Sequence, residues 1–337
     1  MRRSQKFYKP AFFGTLCGTH EAERMRVWFD ADARLSLNAN WALEPPARRF
    51  KDLPVLLIGA GLMHAIGVGA VVKAGPNANL SPGDYVTGFL GLQEYAVVPA
   101  QQVHKINLIP STELIDFLGP LGVTGGLTRT SCTFPHPTQS APKLTPAAPQ
   151  GLFEVAKIKK GETIIVSTAA GSVGSLVVQF AKQAGARIVD IVYNYEKPSW
   201  KDQFDDQVGQ ADVYFENVGS DITDFMLTRL KTFGRVAVCG VISEYNVEEG
   251  QNIGIRNYIQ IVLRRLRVQG FIVTDYASKF PEAYKEIGSW LESGSLKRKY
   301  HVVEGLENAG DSFNLLFTGE NKGKLILKVA EPGGEKV

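Results

Sequence analysis

The stretch ETIIVSTAAGSVGS, Glu162 to Ser175, decides the fold. Its first half, Glu162 to Thr168, is an apolar, β-branched run of the kind a buried strand requires. Past the turn AAGSVGS, the apolar residues Val173, Leu176, Val177, Phe180, Ala181 and Ala184 recur at helical spacing. Strand, glycine turn and amphipathic helix together predict a βα unit. Gly171 and Gly174 let the backbone turn tightly and let a ligand approach, while the free amides of a helix start attract phosphate through hydrogen bonds and the helix dipole. The turn has one glycine fewer than the G-x-G-x-x-G fingerprint, and similar turns occur in α/β proteins that bind no nucleotide. The remainder of the chain must decide between those two readings.

Downstream, Ala186 to Tyr193, Asp212 to Val218, Arg235 to Val241, Phe271 to Thr274 and Gly323 to Val329 read as strands. Asp221 to Lys231, Ile255 to Val268 and Pro281 to Glu292 read as helices. Alternating strands and helices predict an α/β fold with a doubly wound parallel sheet, whose ligands gather beyond the carboxyl ends of the strands. Asn217-Val-Gly219 and Cys239-Gly240 fall at such ends. Upstream, Val55 to Ile58, Gly67 to Lys73, Asp84 to Phe89 and Gln93 to Val98 are short β-rich runs separated by Gly, Pro and Asn, as in a small all-β unit. The segment RTSCTFPHPTQSAPKLTPAAPQ, residues 129–150, has no hydrophobic period and reads as a loop or linker. The expected organisation is a β domain over 1–128 with 1–50 poorly defined, the linker, a dinucleotide-binding domain over 151–300, and a segment 301–337 returning to the β domain.

The chain of 337 residues, 44% hydrophobic, is long enough for two domains with their own cores. A net charge of +3 with mixed signs proposes no nucleic-acid partner. No apolar run approaches a membrane span, and the N-terminus lacks the apolar core of a signal peptide. Three scattered cysteines and five scattered histidines offer neither a disulfide framework nor metal-ligand spacing, so no metal is expected and a reducing, cytoplasmic compartment fits best.

Several long motifs occur in order: GDYVTGFLGLQEYAVV (83–98), AAGSVGS, DVYFENVG (212–219), RVAVCGVISEYN (235–246), RNYIQIVLRRLRVQGFIV (256–273) and GLENAGDSFNLLFTGENKGKLILKV (305–329). Together they resemble the zinc-independent medium-chain dehydrogenase/reductases, in the branch of prostaglandin reductases, leukotriene B4 12-hydroxydehydrogenase and 2-alkenal reductases. The resemblance implies an N-terminal GroES-like β domain, a Rossmann domain, NADPH as cofactor, commonly a homodimer, and reduction of the carbon-carbon double bond of enals and enones. By motif it implies pyrophosphate contacts from Gly171, Ser172, Val173, Gly174 and Ser175, and adenosine contact from Tyr195. It also implies nicotinamide-side contacts from Asn217, from Cys239, Gly240, Val241, Ile242, Ser243 and Tyr245, from Phe271, Ile272 and Val273, and from Asn321. Tyr258 matches a tyrosine that orients the substrate carbonyl.

Conjugate reduction places hydride on the β-carbon while negative charge develops on the carbonyl oxygen, and a neutral phenol such as Tyr258 can donate a hydrogen bond there. Without the resemblance, Tyr258 reads as an amphipathic aromatic at a helix start and Cys239 as a small core residue. The chain departs from the family in three places. It lacks the V-D-P-Y-M-R-G segment before residue 67, it carries the proline-rich 129–150 stretch, and it lacks the helix with the G-S-x-x-K segment that follows the second Rossmann strand. Asp190, about twenty residues after the glycine turn, sits where an acidic side chain favours a ribose 2′-hydroxyl, so NADH stands beside NADPH. Quinone reduction on the same fold and a catalytically weakened dinucleotide binder are the alternative functions.

Overall fold

A computed structural model describes residues 25–30, 57–58, 61–62, 65–122, 152, 155–188 and 199–330, apart from 246, 248, 249 and 253. The 129–150 stretch, Asp190 and Tyr195 lie outside the described residues. The first sheet contains β1 (Met25–Asp30), β4 (Ile66–Val71), β5 (Tyr85–Phe89), β6 (Val103–Lys105), β12 (Tyr300–Glu304) and β13 (Lys324–Lys328) in the order β12-β13-β1-β4-β5-β6. A short hairpin, β2 (Leu57–Ile58) with β3 (Gly61–Leu62), stands apart from it. Neighbours in the six-stranded sheet run antiparallel except β12 and β13, which are parallel. The C-terminal strand β13 thus pairs with β1, joining the two ends of the described chain.

The second sheet is wholly parallel. It sets β7 (Thr163–Val166), β8 (Arg187–Ile188), β9 (Ala211–Glu216), β10 (Leu230–Val238) and β11 (Arg267–Gly270) in the order β11-β10-β9-β7-β8. Its central strand β9 alternates between two cores. Val213 and Phe215 face one core, together with Ile164, Leu176, Val177, Phe180, Ile287 and Leu291. Tyr214 faces the other, with Trp200, Phe204, Phe225 and Met226. Apolar residues at the consecutive positions Val213 to Phe215 are what a strand covered on both faces demands.

The helices α1 (Ser172–Gln183) and α5 (Phe280–Glu292) cover the first face, with Phe180 and Trp290 rings 5.0 Å apart. On the second face α2 (Trp200–Gln207) and α3 (Ser220–Leu227) meet through Trp200, Phe204 and Phe225, whose rings pack edge to face at 4.8 and 5.5 Å. The first core also takes in Ile66, Val68 and Ile326 of the six-stranded sheet, so the two sheets share apolar packing. This is the doubly wound α/β architecture expected from the glycine turn and its flanks. No described helix is long and apolar enough to cross a membrane.

Several elements depart from the sequence expectation; the helix expected over 221–231 ends at Leu227, and the strand expected over 235–241 runs from Leu230 to Val238. The helix expected over 255–268 is only α4 (Ile259–Leu263), followed by β11. Arg265 adopts the left-handed conformation at φ 50°, its amide bonds to Val262 O and the Leu266 amide to Ile261 O. That is a Schellman stop closed on arginine instead of glycine, and Leu266 and Ile261 supply its apolar contact. Because the chain leaves the helix early, the edge strand is Arg267–Gly270, and the strand expected at 271–274 is a turn entering a 3-10 helix, Val273–Lys279. The strand expected over 93–98 does not form either. Residues 93 and 95 make only single bridges there, and Leu92 and Ala96 are buried without a continuous ladder between them.

Candidate functional site

The carboxyl ends of β7, β9 and β10 meet at one rim of the parallel sheet. From β7 the chain passes through Ser167 and Thr168 into the glycine turn and α1. Gly171 is the cap residue of α1, and no side chain caps the helix start. No acidic residue stands in its first turn, and its first closing bond is Ser175 N to Gly171 O at 3.0 Å. Gly174 is packed on the turn itself, where an added Cβ would collide with Thr168 O and Ala169 Cα. A tight backbone turn thus delivers an uncapped helix start with its positive dipole end toward the strand tips, a geometry that suits a phosphate group.

The same turn is tied to the other sheet. Gly171 forms a parallel bridge with Gly323, and the Gly323 amide donates to Ala170 O at 3.2 Å. Gly323 has φ 88° and leaves no room for a Cβ against Lys299 O, so a side chain there would push the connection apart. Asn321 closes this loop by donating from Nδ2 to Gly323 O at 3.0 Å.

At the tip of β9 the buried Glu216 carboxylate organises the next piece of the rim. Its Oε1 accepts the amides of Val218 and of Gly219 (3.0 Å) and the Ser167 hydroxyl (3.3 Å), while Oε2 accepts the Thr223 hydroxyl from α3. Ser167 in turn accepts the Asn217 amide at 2.8 Å, and the Asn217 side chain donates from Nδ2 to Ser167 O at 2.8 Å. Beside this cluster, burial and then the Glu216 charge push the Tyr214 phenol far above its ordinary range, so it stays protonated.

The tip of β10 folds over β9. The amides of Cys239 and Gly240 donate to Glu216 O at 2.8 and 3.2 Å, Ile242 N to Asn217 O at 3.2 Å, and Ser243 N and Oγ to Val218 O at 3.0 and 2.5 Å. Gly219, at φ 85°, fits because an added Cβ would press on Val241 and Ser243. The Tyr245 hydroxyl accepts the Val241 amide at 3.3 Å and lies where a Cβ on Gly240 would touch it at 3.0 Å.

Of the residues singled out by sequence, the structure therefore gathers Gly171 to Ser175, Asn217, Cys239 to Ser243, Tyr245 and Asn321 around the rim. Phe271 turns inward, its ring 6.1 Å from Phe215, and so packs the core beneath it. Ile272 is 63% exposed and Val273 opens the 3-10 helix. Tyr258, 64% exposed, precedes α4, outside the rim's hydrogen-bond network. Ser167, Glu216 and Gly323 were not anticipated. A charged residue ending an apolar strand was the available signal for Glu216; Gly323 reads as the start of the last strand until the two sheets are seen together. Among the described residues no three His, Cys, Asp or Glu side chains converge on a possible metal position.

No family model matches the chain. Individual relatives do. YfmJ of Bacillus subtilis is 36% identical over 308 residues, covering 84% of this chain and 84% of the relative. The NADP(+)-dependent 2-alkenal reductase of Nicotiana tabacum is 32% identical over 290 residues, 78% of this chain and 76% of its own. Among solved structures, CurA of Vibrio vulnificus in complex with NADPH superimposes with a TM-score of 0.74 at 25% identity, over 96% of this chain and 94% of that one. With similarity of that depth and extent added to the doubly wound sheet and its glycine-turn rim, the chain belongs to the zinc-independent medium-chain dehydrogenase/reductases, a family of oxidoreductases.

Proposed function

We propose that this protein is an NADPH-dependent reductase of the carbon-carbon double bond in α,β-unsaturated aldehydes and ketones. The observation that carries the reading is the rim itself, an uncapped helix start beside a prebuilt Asn217 and Cys239–Tyr245 shelf, in a chain whose relatives include a 2-alkenal reductase. The amides of Ser172, Val173 and Gly174 take the pyrophosphate, and the shelf from Asn217 and Cys239 to Tyr245, with Ile272, Val273 and Asn321, lines the nicotinamide side. Tyr195 takes the adenosine end. Bound there, NADPH supplies the hydride that the substrate's β-carbon accepts.

Tyr258 donates its phenol hydrogen to the substrate carbonyl oxygen as negative charge builds there. A positioned donor of this kind contributes about 2.7–4 kcal/mol to the transition state. The α-carbon proton comes from water, so no strong general acid is required. A homodimer is part of the reading: Tyr258, Ile259, Val262, Leu263 and Ile272, each more than half exposed, flank the sheet-edge strand β11, and a second copy over them would shield the Tyr258 region from water.

The test is a steady-state assay with purified protein, NADPH or NADH, and a panel of 2-alkenals, enones and quinones, followed at the nicotinamide absorbance band. Turnover of enals and enones with NADPH is the expected result. Turnover of quinones alone, or cofactor binding without any turnover, would replace it.

A further inference from the structure

The turn that presents Tyr258 hangs on one buried carboxylate. Asp224, on α3, is 4% exposed. Its Oδ1 accepts the amides of Arg256 (2.8 Å) and Asn257 (3.0 Å), and its Oδ2 accepts Nε of Arg256 (2.8 Å). Its backbone carbonyl accepts Nδ2 of Asn257 at 3.1 Å. A further guanidinium nitrogen of Arg256 pairs with Asp221, one helical turn nearer the rim. These bonds fasten Arg256 and Asn257 to α3, while Asn257 O and Tyr258 O accept the Gln260 and Ile261 amides of α4 at 2.9 and 3.0 Å. Burial raises the Asp224 carboxyl, but the bonds from the Arg256 side chain and from the Asn257 and Arg256 amides outweigh it and hold the group below its ordinary range.

Apolar packing does not replace this clamp, because Ile255, Tyr258 and Ile259 are all exposed. The helix α4 holds the turn only through its first backbone bonds, since it has five residues and no side-chain cap at its start. Asp221 and Asp224 follow directly on the Asn217–Gly219 crest, so the clamp also fixes the turn at the rim side of the sheet.

We propose that Asp224 is a positioning residue for Tyr258, fixing the backbone of Arg256 and Asn257 and with it the direction in which the phenol leaves the chain. The proposal rests on the reading of Tyr258 as the donor to the substrate carbonyl. It assigns Asp224 no contact with cofactor or substrate, so its removal should act on turnover through Tyr258 and leave cofactor affinity alone.

The experiment is a double-mutant cycle of wild type, Asp224→Asn, Tyr258→Phe and the pair, assayed with NADPH and a 2-alkenal. Asp224→Asn should lower kcat about tenfold with NADPH Kd within about twofold, and should change kcat less than about twofold once Tyr258 is Phe. In the ligand-free protein, amide exchange at Arg256 and Asn257 should speed up about tenfold in Asp224→Asn while β9 and α1 stay protected. Arg256→Gln, a change at an exposed side chain, gives a second route should Asp224→Asn fold poorly, with a smaller kcat loss that again vanishes in Tyr258→Phe. An equal kcat loss in both backgrounds, or unchanged kcat and exchange, overturns the positioning role while leaving the Tyr258 reading intact. Full activity in Tyr258→Phe overturns both.

Discussion

Around Glu216 the chain satisfies its polar groups with its own backbone and hydroxyls, burying a carboxylate against four donors. Around Tyr258 it does the opposite, leaving five large side chains more than half exposed and holding the turn by Asp224. The contrast teaches that, among the described residues, the proposed pyrophosphate and nicotinamide rim is built within one folded chain before any ligand arrives, whereas the proposed substrate half depends on what settles onto it. Preorganised polar groups favour binding because little ordering remains to be done, while an exposed donor gains strength only when water is excluded.

If that division holds, changes in the two regions should separate kinetically. Tyr258→Phe removes the proposed carbonyl donor without touching the rim, and kcat for a 2-alkenal should fall about 100-fold with NADPH Kd unchanged, read from steady-state kinetics beside fluorescence titration. A parallel loss of cofactor affinity would merge the two regions into one. Gly174→Ala does the converse. Its Cβ must displace the Thr168 carbonyl, so we expect about 1–3 kcal/mol of destabilisation and at least about tenfold weaker NADPH binding, measured by thermal melts and titration calorimetry.

Glu286 on α5 offers a control outside both regions. Its Oε2 is buried without a hydrogen-bond partner, and burial pushes its carboxyl from 4.5 to about 7. Between those pH values the folded chain keeps a proton that the unfolded chain has released, so this group makes stability fall as pH rises through that window. Glu286→Gln should therefore stabilise the protein by about 1–2 kcal/mol at pH 8, allowing for water reaching the half-buried side chain, and flatten the pH dependence of Tm. Its kinetic constants should stay those of the wild type. The smallest effect belongs to Ser167→Ala, which removes the hydroxyl that accepts the Asn217 amide but keeps the Asn217 side-chain bond to the Ser167 carbonyl, and should weaken NADPH binding by about 1 kcal/mol, roughly fivefold in Kd, with little change in kcat.

Legibility in the sequence followed the same division. The rim was readable because its signals are local: the β-branched run before Ala169, the helical period after Gly174, and strands read to Val218 and Val241 that end a few residues earlier, at Glu216 and Val238. Around Tyr258 the local pattern misled, since the apolar period runs through residues 259–268 and the helix stop falls on Arg265, a residue with none of glycine's freedom at positive φ. Only pairing of Arg267–Gly270 with β10 explains why the chain turns there. The partners of Asp224 and Gly323 are set by packing between distant segments, which no single-chain pattern encodes. By contrast, the similarity in motif order from Gly83 to Val329 carried the family reading where periodicity could not.

The most direct measurement is the product of a complete turnover. Incubating the protein with NADPH and a 2-alkenal and identifying the product by gas chromatography and mass spectrometry should yield the saturated aldehyde, with the carbonyl retained and one NADPH oxidised per double bond reduced. An allylic alcohol, or unchanged substrate in a protein that binds NADPH, would contradict the account.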